Sequence, residues 1–349
     1  MTTLPATKRP ISSPQTGFTL VELLVAMVIG LLVMAGATQL FITSQHSYRL
    51  QTALADMQDI GRFSLDTLSR ELRQADYIGG CAPTQTTVHL RNIANTGHPP
   101  LSLQAWDDAN GSDFATNLIN PVPGQHSVAF RGALVARTGF ANDSLAVTSV
   151  DNPQQLSLNR NIDSLFSGQL VLLQGLQSCD IFYNTSNTAS LLQKAASAGW
   201  LGNVAASASP WGNVSGFTYI ADQSISLSAL SGAIYYIGLN PDSGSTPSLM
   251  RLDISQTTPH NEVLASNVVA MRTSFLVDDQ YLPPEQLSAT EWATVRALRI
   301  SLIVQSDQAD LRNADTTLTM GNFRGDNVFT ANDGRLYQAF TTTVTLRNR

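Results

Sequence analysis

Lysine, aromatic residues and charged residues are all scarce in this chain. Aromatic side chains make up 7% of the 349 residues and charged side chains 13%. Lysine occurs only at Lys8 and Lys194, and the formal net charge is −6. A net-acidic chain with so little lysine is not expected to bind nucleic acid through its overall charge.

Sequence motifs of catalysis are also missing. The five histidines show neither H-E-x-x-H spacing nor any paired metal-ligand spacing. The sequence contains no G-x-S-x-G elbow, no P-loop and no G-x-G-x-x-G motif. We therefore expect no enzymatic activity, no metal site and no cofactor.

Cysteine is rare as well, because Cys81 and Cys179 are the only two. In an exported chain an even number of cysteines most simply forms one disulfide, here closing a loop of about a hundred residues. Two buried thiols, or half of a metal site, are the alternatives. Neither cysteine has a second Cys or a His at metal-ligand spacing, which favours the disulfide between Cys81 and Cys179.

One long apolar run is present near the amino terminus. From Phe18 to Ile42 the chain is almost wholly apolar and carries one formal charge, Glu22. As a helix, residues 18–42 would be roughly 38 Å long, enough to cross a hydrocarbon core of about 30 Å. An unpaired Asp in mid-bilayer costs ~2.5–3.5 kcal/mol, and a Glu should cost about as much. Glu22 therefore needs a partner.

Cleavage of the chain after Gly17 would supply that partner. Phe18 would then carry a free, cationic α-amino group on the helical face of Glu22, four residues away. The carboxylate could pair with this amine or with the amine of a neighbouring copy of the helix. In a helical bundle of subunits, the second pairing would set the axial register.

Gly17-Phe18, Glu22 and the unbroken apolar helix resemble the class III signal of type IV pilins and pseudopilins. The resemblance implies that a prepilin peptidase in the inner membrane cleaves after Gly17 and N-methylates Phe18. Residues 1–17 would be the leader, and residues 18–42 the transmembrane half of the amino-terminal helix. Lys8 and Arg9 precede the apolar run, which places the leader in the cytoplasm and the rest of the chain outside it.

An ordinary secretory signal peptide is the alternative for the same residues. Lys8 and Arg9 would form its n-region, and Ala35-Gly36-Ala37 its cleavage site, so that the mature chain would begin near Thr38. Glu22 at the head of the apolar run, and the helical pattern that continues past Ala37, favour the pilin-type signal.

Residues 43–78 are predicted to continue the helix as an amphipathic half. Apolar or small residues recur there at spacings of three and four: Leu50, Leu54, Met57, Gly61, Leu65, Leu68, Leu72 and Ala75. This pattern predicts one buried stripe that packs on the chain's own sheet. Gly79-Gly80 is predicted to end the helix.

Beyond Gly80 the periodicity changes to that of strands, which predicts a β-rich globular head over residues 79–349. The predicted strands are 126–131, 145–149, 168–174, 233–238, 249–252, 270–277, 297–304 and 337–346. Residues 184–215 and 306–335 are predicted to be surface insertions, and 285–293 a short helix. The predicted fold class is α+β: a long amino-terminal helix packed on a β-rich head.

Segments of the head resemble the PilW family of minor pilins. They are Cys179-Asp180-Ile181-Phe182, the segment 262–272 with Val277-Asp278, Trp292 with 295–302, and the carboxy-terminal 340–348. The family architecture is related to that of the J-type pseudopilins of type II secretion.

The resemblance implies a minor pilin that primes assembly of a type IV pilus. Its implied partners are the prepilin peptidase, other minor pilins, the major pilin and a tip adhesin. Its implied location is the inner membrane with the head in the periplasm, and then the pilus tip, with cell adhesion and twitching motility as the associated processes. A J-type pseudopilin is the closest alternative, and a secreted β-rich binding protein with an unusual signal peptide is a more distant one.

Overall fold

The computed structural model describes residues 17–77, 81–91, 103–108, 115–135, 145–162, 166–197, 200–205, 211–212, 219–243, 245–312, 315–319 and 328–347. The chain divides into two compact units at Thr52/Ala53. The first unit holds the amino-terminal part of a long helix. The second unit, Ala53–Arg349, holds the rest of that helix and the strands.

Two α-helices and seventeen strands lie in the described residues. The helices are α1 (Leu20–Leu72) and α2 (Ala289–Trp292). The strands are β1 (Thr86–Val88), β2 (Gln104–Trp106), β3 (Ser127–Val135), β4 (Leu145–Asn152), β5 (Gln155–Leu158), β6 (Leu170–Gln174), β7 (Cys179–Tyr183), β8 (Leu191–Gln193), β9 (Ser224–Leu239), β10 (Pro247–Asp253), β11 (His260–Ser266), β12 (Val268–Val277), β13 (Gln280–Leu282), β14 (Ala297–Gln305), β15 (Thr316–Thr319), β16 (Val328–Ala331) and β17 (Tyr337–Thr345). The long apolar helix and the β-rich remainder give the predicted α+β, pilin-like fold.

The helix α1 ends at Leu72, short of the predicted residue 78. Asp76 takes a left-handed conformation with φ of 61°, and its backbone N–H donates to the carbonyl of Arg131 at 3.3 Å. Its carboxylate accepts from the N–H of Leu103 at 3.0 Å. Contacts with distant segments thus end the helix before the predicted stop at Gly79-Gly80, which lies outside the described residues.

The predicted apolar stripe of α1 is buried in the second unit, as expected of a core-facing helix. Its members from Met57 to Ala75 are buried, apart from the partly buried Leu65. The stripe is wider than predicted, because Ala53, Ser64 and Ser69 are buried too. Small residues allow a close approach of helix and sheet: a Cβ atom added at Gly61 would lie 2.5 Å from the ring of Phe340.

The strands form two main sheets with a shared core. The larger sheet has eleven strands centred on β9, which pairs with β3, β4, β6 and β10. The smaller sheet has the order β13-β12-β14-β17. One hydrophobic cluster contains residues of α1, of the larger sheet and of the smaller sheet, including Met57, Tyr235 and Leu298. A third, two-stranded sheet is the β15–β16 hairpin.

All eight predicted strands are present, with shifted limits. The prediction that residues 184–215 and 306–335 are surface insertions is wrong in part, because both segments contain strands and buried side chains. Within 184–215 lie β8 and the buried side chains of Lys194 and Trp211. Within 306–335 lie β15 and β16, whose Leu318 and Phe329 pack on Ile303 of the small sheet. Short strands among polar residues carry too little apolar periodicity to be seen in a sequence. The short helix predicted at 285–293 is smaller, since α2 covers Ala289–Trp292.

His126 makes the stability of the second unit sensitive to pH. It is buried, and its Nδ1 atom accepts from the backbone N–H of Thr273 at 2.9 Å. Burial, with a smaller contribution from the positive charge of Arg272, lowers the pKa of His126 from 6.5 to about 4. The folded protein therefore holds this imidazole neutral at pH values where the unfolded chain protonates it.

We expect the free energy of unfolding to fall as the pH drops from 6.5 towards 4. The stabilisation is complete above the unfolded pKa of 6.5, and about 3 kcal/mol is lost by pH 4. Urea unfolding at pH 7 and at pH 4, followed by tryptophan fluorescence, measures the loss in the wild type and in His126→Gln. A smaller loss in the variant is expected, and equal losses in both proteins would contradict the assignment to His126.

Candidate functional site at the start of the amino-terminal helix

The residues predicted to be cleaved lie just outside the start of α1. Gly17, Phe18 and Thr19 have no regular secondary structure, and α1 begins at Leu20. All three are exposed, with Phe18 at 88% of its full exposure. The Gly17–Phe18 peptide bond is therefore exposed and lies outside the helix, where a protease could reach it.

Thr19 and Glu22 form a reciprocal capping box that starts the helix. The backbone N–H and the hydroxyl of Thr19 both donate to a carboxylate oxygen of Glu22, each at 3.2 Å. The backbone N–H of Glu22 donates in return to the hydroxyl oxygen of Thr19 at 3.2 Å. The pair satisfies two amides that a helix leaves without internal partners. Thr19 was not singled out from the sequence, although its T-x-x-E spacing with Glu22 was a readable signal.

The carboxylate of Glu22 is thus already hydrogen-bonded to Thr19 in the uncleaved chain. Its predicted pairing with the α-amine of Phe18 needs a chain cut after Gly17, and in the intact chain Phe18 carries an ordinary amide. The roles of Gly17 as cleavage site, Phe18 as methylated residue and Glu22 as register residue therefore stay predictions.

In the described residues of the first unit, α1 carries a long exposed apolar segment. From Leu20 to Ile42 every side chain is exposed within the chain. The helix is long and apolar enough to cross a membrane. Surface of this kind is stable in a bilayer or against other apolar helices, and unstable in water.

The two cysteines are joined in the second unit. Cys81 and Cys179 form a disulfide with an S–S distance of 2.05 Å and Cα atoms 6.3 Å apart. The bond links the start of β7 to the chain that follows α1, across a sequence separation of 98 residues. The predicted disulfide between Cys81 and Cys179 is present. The alternatives, two buried thiols or half of a metal site, are thereby excluded.

Next to the disulfide lies a buried polar cluster that was not predicted. Asp180 is fully buried and lies 2.5 Å from Nε2 of His89. Its carboxylate also accepts from the hydroxyl of Tyr219 at 2.7 Å and from the N–H of Gly212 at 3.1 Å. His89, Gly212 and Tyr219, from outside β7, are thereby held to the one carboxylate of Asp180. Sequence spacing could not reveal the cluster, since His89 and Asp180 lie 91 residues apart.

Lys194 lies next to this cluster, because the ring of Trp211 packs against both Lys194 and His89. Its ammonium lies 4.8 Å from the centroid of the Trp211 ring. Burial lowers the pKa of Lys194 to about 8, although the charge of Asp180 acts in the opposite direction. A buried pair of histidine and carboxylate could orient a catalytic base, but His89, Asp180 and Lys194 are each at most 1% exposed. This arrangement suits cross-bracing of the fold better than chemistry on a substrate.

A second polar network ties the end of α1 to the larger sheet. The guanidinium of Arg251 lies 2.7 Å from Glu262, 3.1 Å from Asp253 and 3.6 Å from Glu71. The hydroxyl of Tyr235 donates to Glu71. Burial and the neighbouring charge of Glu71 raise the pKa of Tyr235, so it remains a donor at neutral pH.

No group of three or more potential metal ligands occurs in the described ranges. At the start of α1, an exposed peptide bond precedes a capped, apolar helix, which makes this the candidate site.

Two protein-family models match the chain. Residues 12–38 match the model described as "Prokaryotic N-terminal methylation motif", which covers Gly17, Phe18, Thr19 and Glu22. Residues 234–348 match "Type IV Pilus-assembly protein W", from the second half of β9 to the end of β17. No curated protein and no solved structure matches the chain. Residues 39–233 are covered by neither family model.

Proposed function

We propose that this chain is a PilW-family type IV minor pilin that primes pilus assembly from the inner membrane. The two family matches support this assignment to the family. They also support a pilin-like role in assembly and an association with the pilus machinery. Priming, the position in the pilus and the identity of the partner subunits are the finer parts of the proposal.

The observation that carries the proposal is the coincidence of three features at residues 17–22. The methylation motif matches there, the Gly17–Phe18 bond is exposed, and Glu22 stands at the head of an apolar helix. Cleavage would place the cationic α-amine of Phe18 within reach of a carboxylate, either its own or that of a neighbouring subunit. Pairing between subunits would bring their helices into one axial register as they leave the membrane.

In this proposal the second unit lies in the periplasm before assembly and at or near the pilus tip after it. The precursor waits as a single-pass membrane protein, with Lys8 and Arg9 on the cytoplasmic side. Other minor pilins and the major pilin pack against α1, and an adhesin binds at the tip. The role is structural, with no catalytic step and no cofactor.

A J-type pseudopilin of type II secretion would have the same helix and a similar β-rich head. The match of residues 234–348 to a type IV pilus-assembly family favours the pilus. A secreted protein cut near Thr38 is disfavoured by the match over residues 12–38, which includes the whole start of the helix.

The mass of the mature amino-terminal peptide tests the proposal. We expect membrane and sheared-filament fractions to contain a peptide that begins with N-methylated Phe18. The same peptide should be absent from cells without prepilin peptidase, in which the leader is retained. A peptide beginning near Thr38 would show that the apolar helix is discarded, and the proposed function would then be wrong.

A further inference from the structure

A cleft of about 600 Å³ lies between two turns at one end of the larger sheet. The first turn, residues 175–178, joins β6 to β7, and the second, residues 220–223, leads into β9. Both turns line the cleft, together with Ser224 at the start of β9. The cleft lies within residues 39–233, so the family matches say nothing about it.

The two turns are held close to each other. The backbone N–H of Gly175 donates to the carbonyl of Ser178 at 2.8 Å, which closes the first turn. A Cβ atom added at Gly175 would lie 2.7 Å from the side-chain nitrogen of Gln223 and 2.8 Å from the ring of Tyr219. The absence of a side chain at Gly175 therefore permits the close approach. Tyr219 is fixed in turn by its hydrogen bond to Asp180.

The second turn is closed by its own hydrogen bonds. The N–H of Gln223 donates to the carbonyl of Ile220 at 3.2 Å, and the N–H of Ile220 donates to the side-chain oxygen of Gln223 at 3.1 Å. The N–H of Asp222 donates to the carbonyl of Val147 at 2.8 Å. Both turns are thus ordered before anything binds, which lowers the entropic cost of binding.

Apolar side chains on both turns line the cleft and are open to water. Leu176 of the first turn is 83% exposed, and Ile220 of the second turn is 65% exposed. They are the two most exposed large apolar side chains in the described residues of the second unit. Apolar side chains that line a cleft in this way are typical of sites where another molecule binds.

One carboxylate lines the same cleft. Asp222 is the only charged residue of the lining, and the other polar side chains there are neutral amides and hydroxyls. In the part of the chain that the structure describes, the carboxylate of Asp222 makes no hydrogen bond and no ion pair. An occupant that satisfies the cleft needs an apolar part to contact Leu176 and Ile220 and a positive charge to meet Asp222.

An arginine side chain combines these two properties. Its methylene stem packs along apolar surface while its charged head stays in contact with water. Its planar guanidinium can donate two parallel hydrogen bonds to one carboxylate, whereas the ammonium of a lysine acts as a point charge. Arginine therefore fits the lining better than lysine does.

We propose that this cleft binds an arginine side chain of a partner protein. The stem of the arginine packs against Leu176 and Ile220, and its guanidinium pairs with the carboxylate of Asp222. The proposal goes beyond the proposed function, because it depends neither on cleavage after Gly17 nor on pilus assembly.

Peptide binding to the purified full-length protein in detergent tests the cleft. The probes are a fluorescent pentapeptide with one arginine between two pairs of glycines, and the same peptide with citrulline in place of arginine. Citrulline has nearly the same shape as arginine and no charge. We expect saturable binding of the arginine peptide, at least about ten-fold tighter than that of the citrulline peptide.

Variants of exposed residues locate the binding. Asp222→Asn should give both peptides the same affinity, and Asn tolerates the left-handed backbone at this position, where φ is 65°. Leu176→Ser and Ile220→Ser should each weaken binding of the arginine peptide at least about three-fold. Val150→Ser is the matched control, because Val150 is an exposed apolar residue that does not line the cleft. Equal urea midpoints for all variants would show that they fold.

Equal affinity of the wild type for the two peptides, or a preference that Asp222→Asn retains, would overturn the proposal. Absence of saturable binding would do so as well. Self-association of the protein that Asp222→Asn abolishes would also overturn it, because the arginine would then come from a second copy. A failure of the cleft together with an N-methylated Phe18 would leave the proposed function intact.

Discussion

Glu22→Ala is expected to reduce the amount of this protein in sheared filaments at least about ten-fold, while its amount in the membrane stays unchanged. In a chain cut after Gly17, as proposed, the variant would leave the α-amine of Phe18 without a carboxylate in an apolar setting. Removing one partner of a buried ion pair costs about 3–5 kcal/mol, more than a ten-fold change in an equilibrium requires. Immunoblots of membrane and filament fractions measure both quantities.

The structure adds a second role for Glu22, so a control must separate the two. Glu22 also closes the capping box with Thr19, and loss of a cap costs about 1 kcal/mol. Glu22→Gln keeps the hydrogen-bonding geometry of the box but removes the charge, whereas Thr19→Val removes the hydroxyl's two hydrogen bonds but keeps the charge. We expect Glu22→Gln to fail in assembly as Glu22→Ala does, and Thr19→Val to assemble. Assembly of Glu22→Gln at the wild-type level would contradict the charge-pairing mechanism.

Removal of the disulfide is expected to destabilise the second unit by about 4–5 kcal/mol. The bond closes a loop with a sequence separation of 98 residues, and closing a loop of that size removes much of the entropy of the unfolded chain. Domains of this class have a total stability of about 5–15 kcal/mol, so the double variant Cys81→Ser with Cys179→Ser should lose much of it. Urea unfolding of the double variant and of the wild type measures the difference.

Reductant provides the matched control for the disulfide. The wild type in the presence of dithiothreitol should unfold at the urea concentration of the double variant, and the variant should not respond to the reductant. In cells we expect the double variant to be degraded and the pilus count to fall with it. Equal unfolding midpoints for oxidised and reduced wild type would show that the disulfide contributes no stability.

The expectations for Glu22 and for the disulfide both rest on residues that were identified from the sequence alone. A long run of apolar residues predicts a membrane or bundle helix by itself, because an exposed apolar helix is stable only in a bilayer or against other apolar helices. The position of Glu22 in that run was an equally local signal, whereas the disulfide was predicted from the count of two cysteines. The stripe from Met57 to Ala75 predicted a buried helical face for the same reason, since a helix repeats every 3.6 residues whatever it packs against.

The strands were only partly predictable. Long strands of the core, such as β12 and β14, carry continuous apolar segments and were found with nearly correct limits. Strands of three or four residues, such as β1, β8 and β15, are too short for a period of two to stand out. They are strands because a neighbouring strand supplies their hydrogen bonds.

By itself the sequence determined the apolar helix, the disulfide partners and the β-rich class. Each of these follows from side-chain chemistry or from spacing within about one helical turn, apart from the disulfide, which follows from the cysteine count. Only the tertiary structure decided where α1 ends and which carboxylate holds His89 and Tyr219. The physical reason is that these features depend on pairs of residues far apart in the chain, whose meeting is set by the order of the strands.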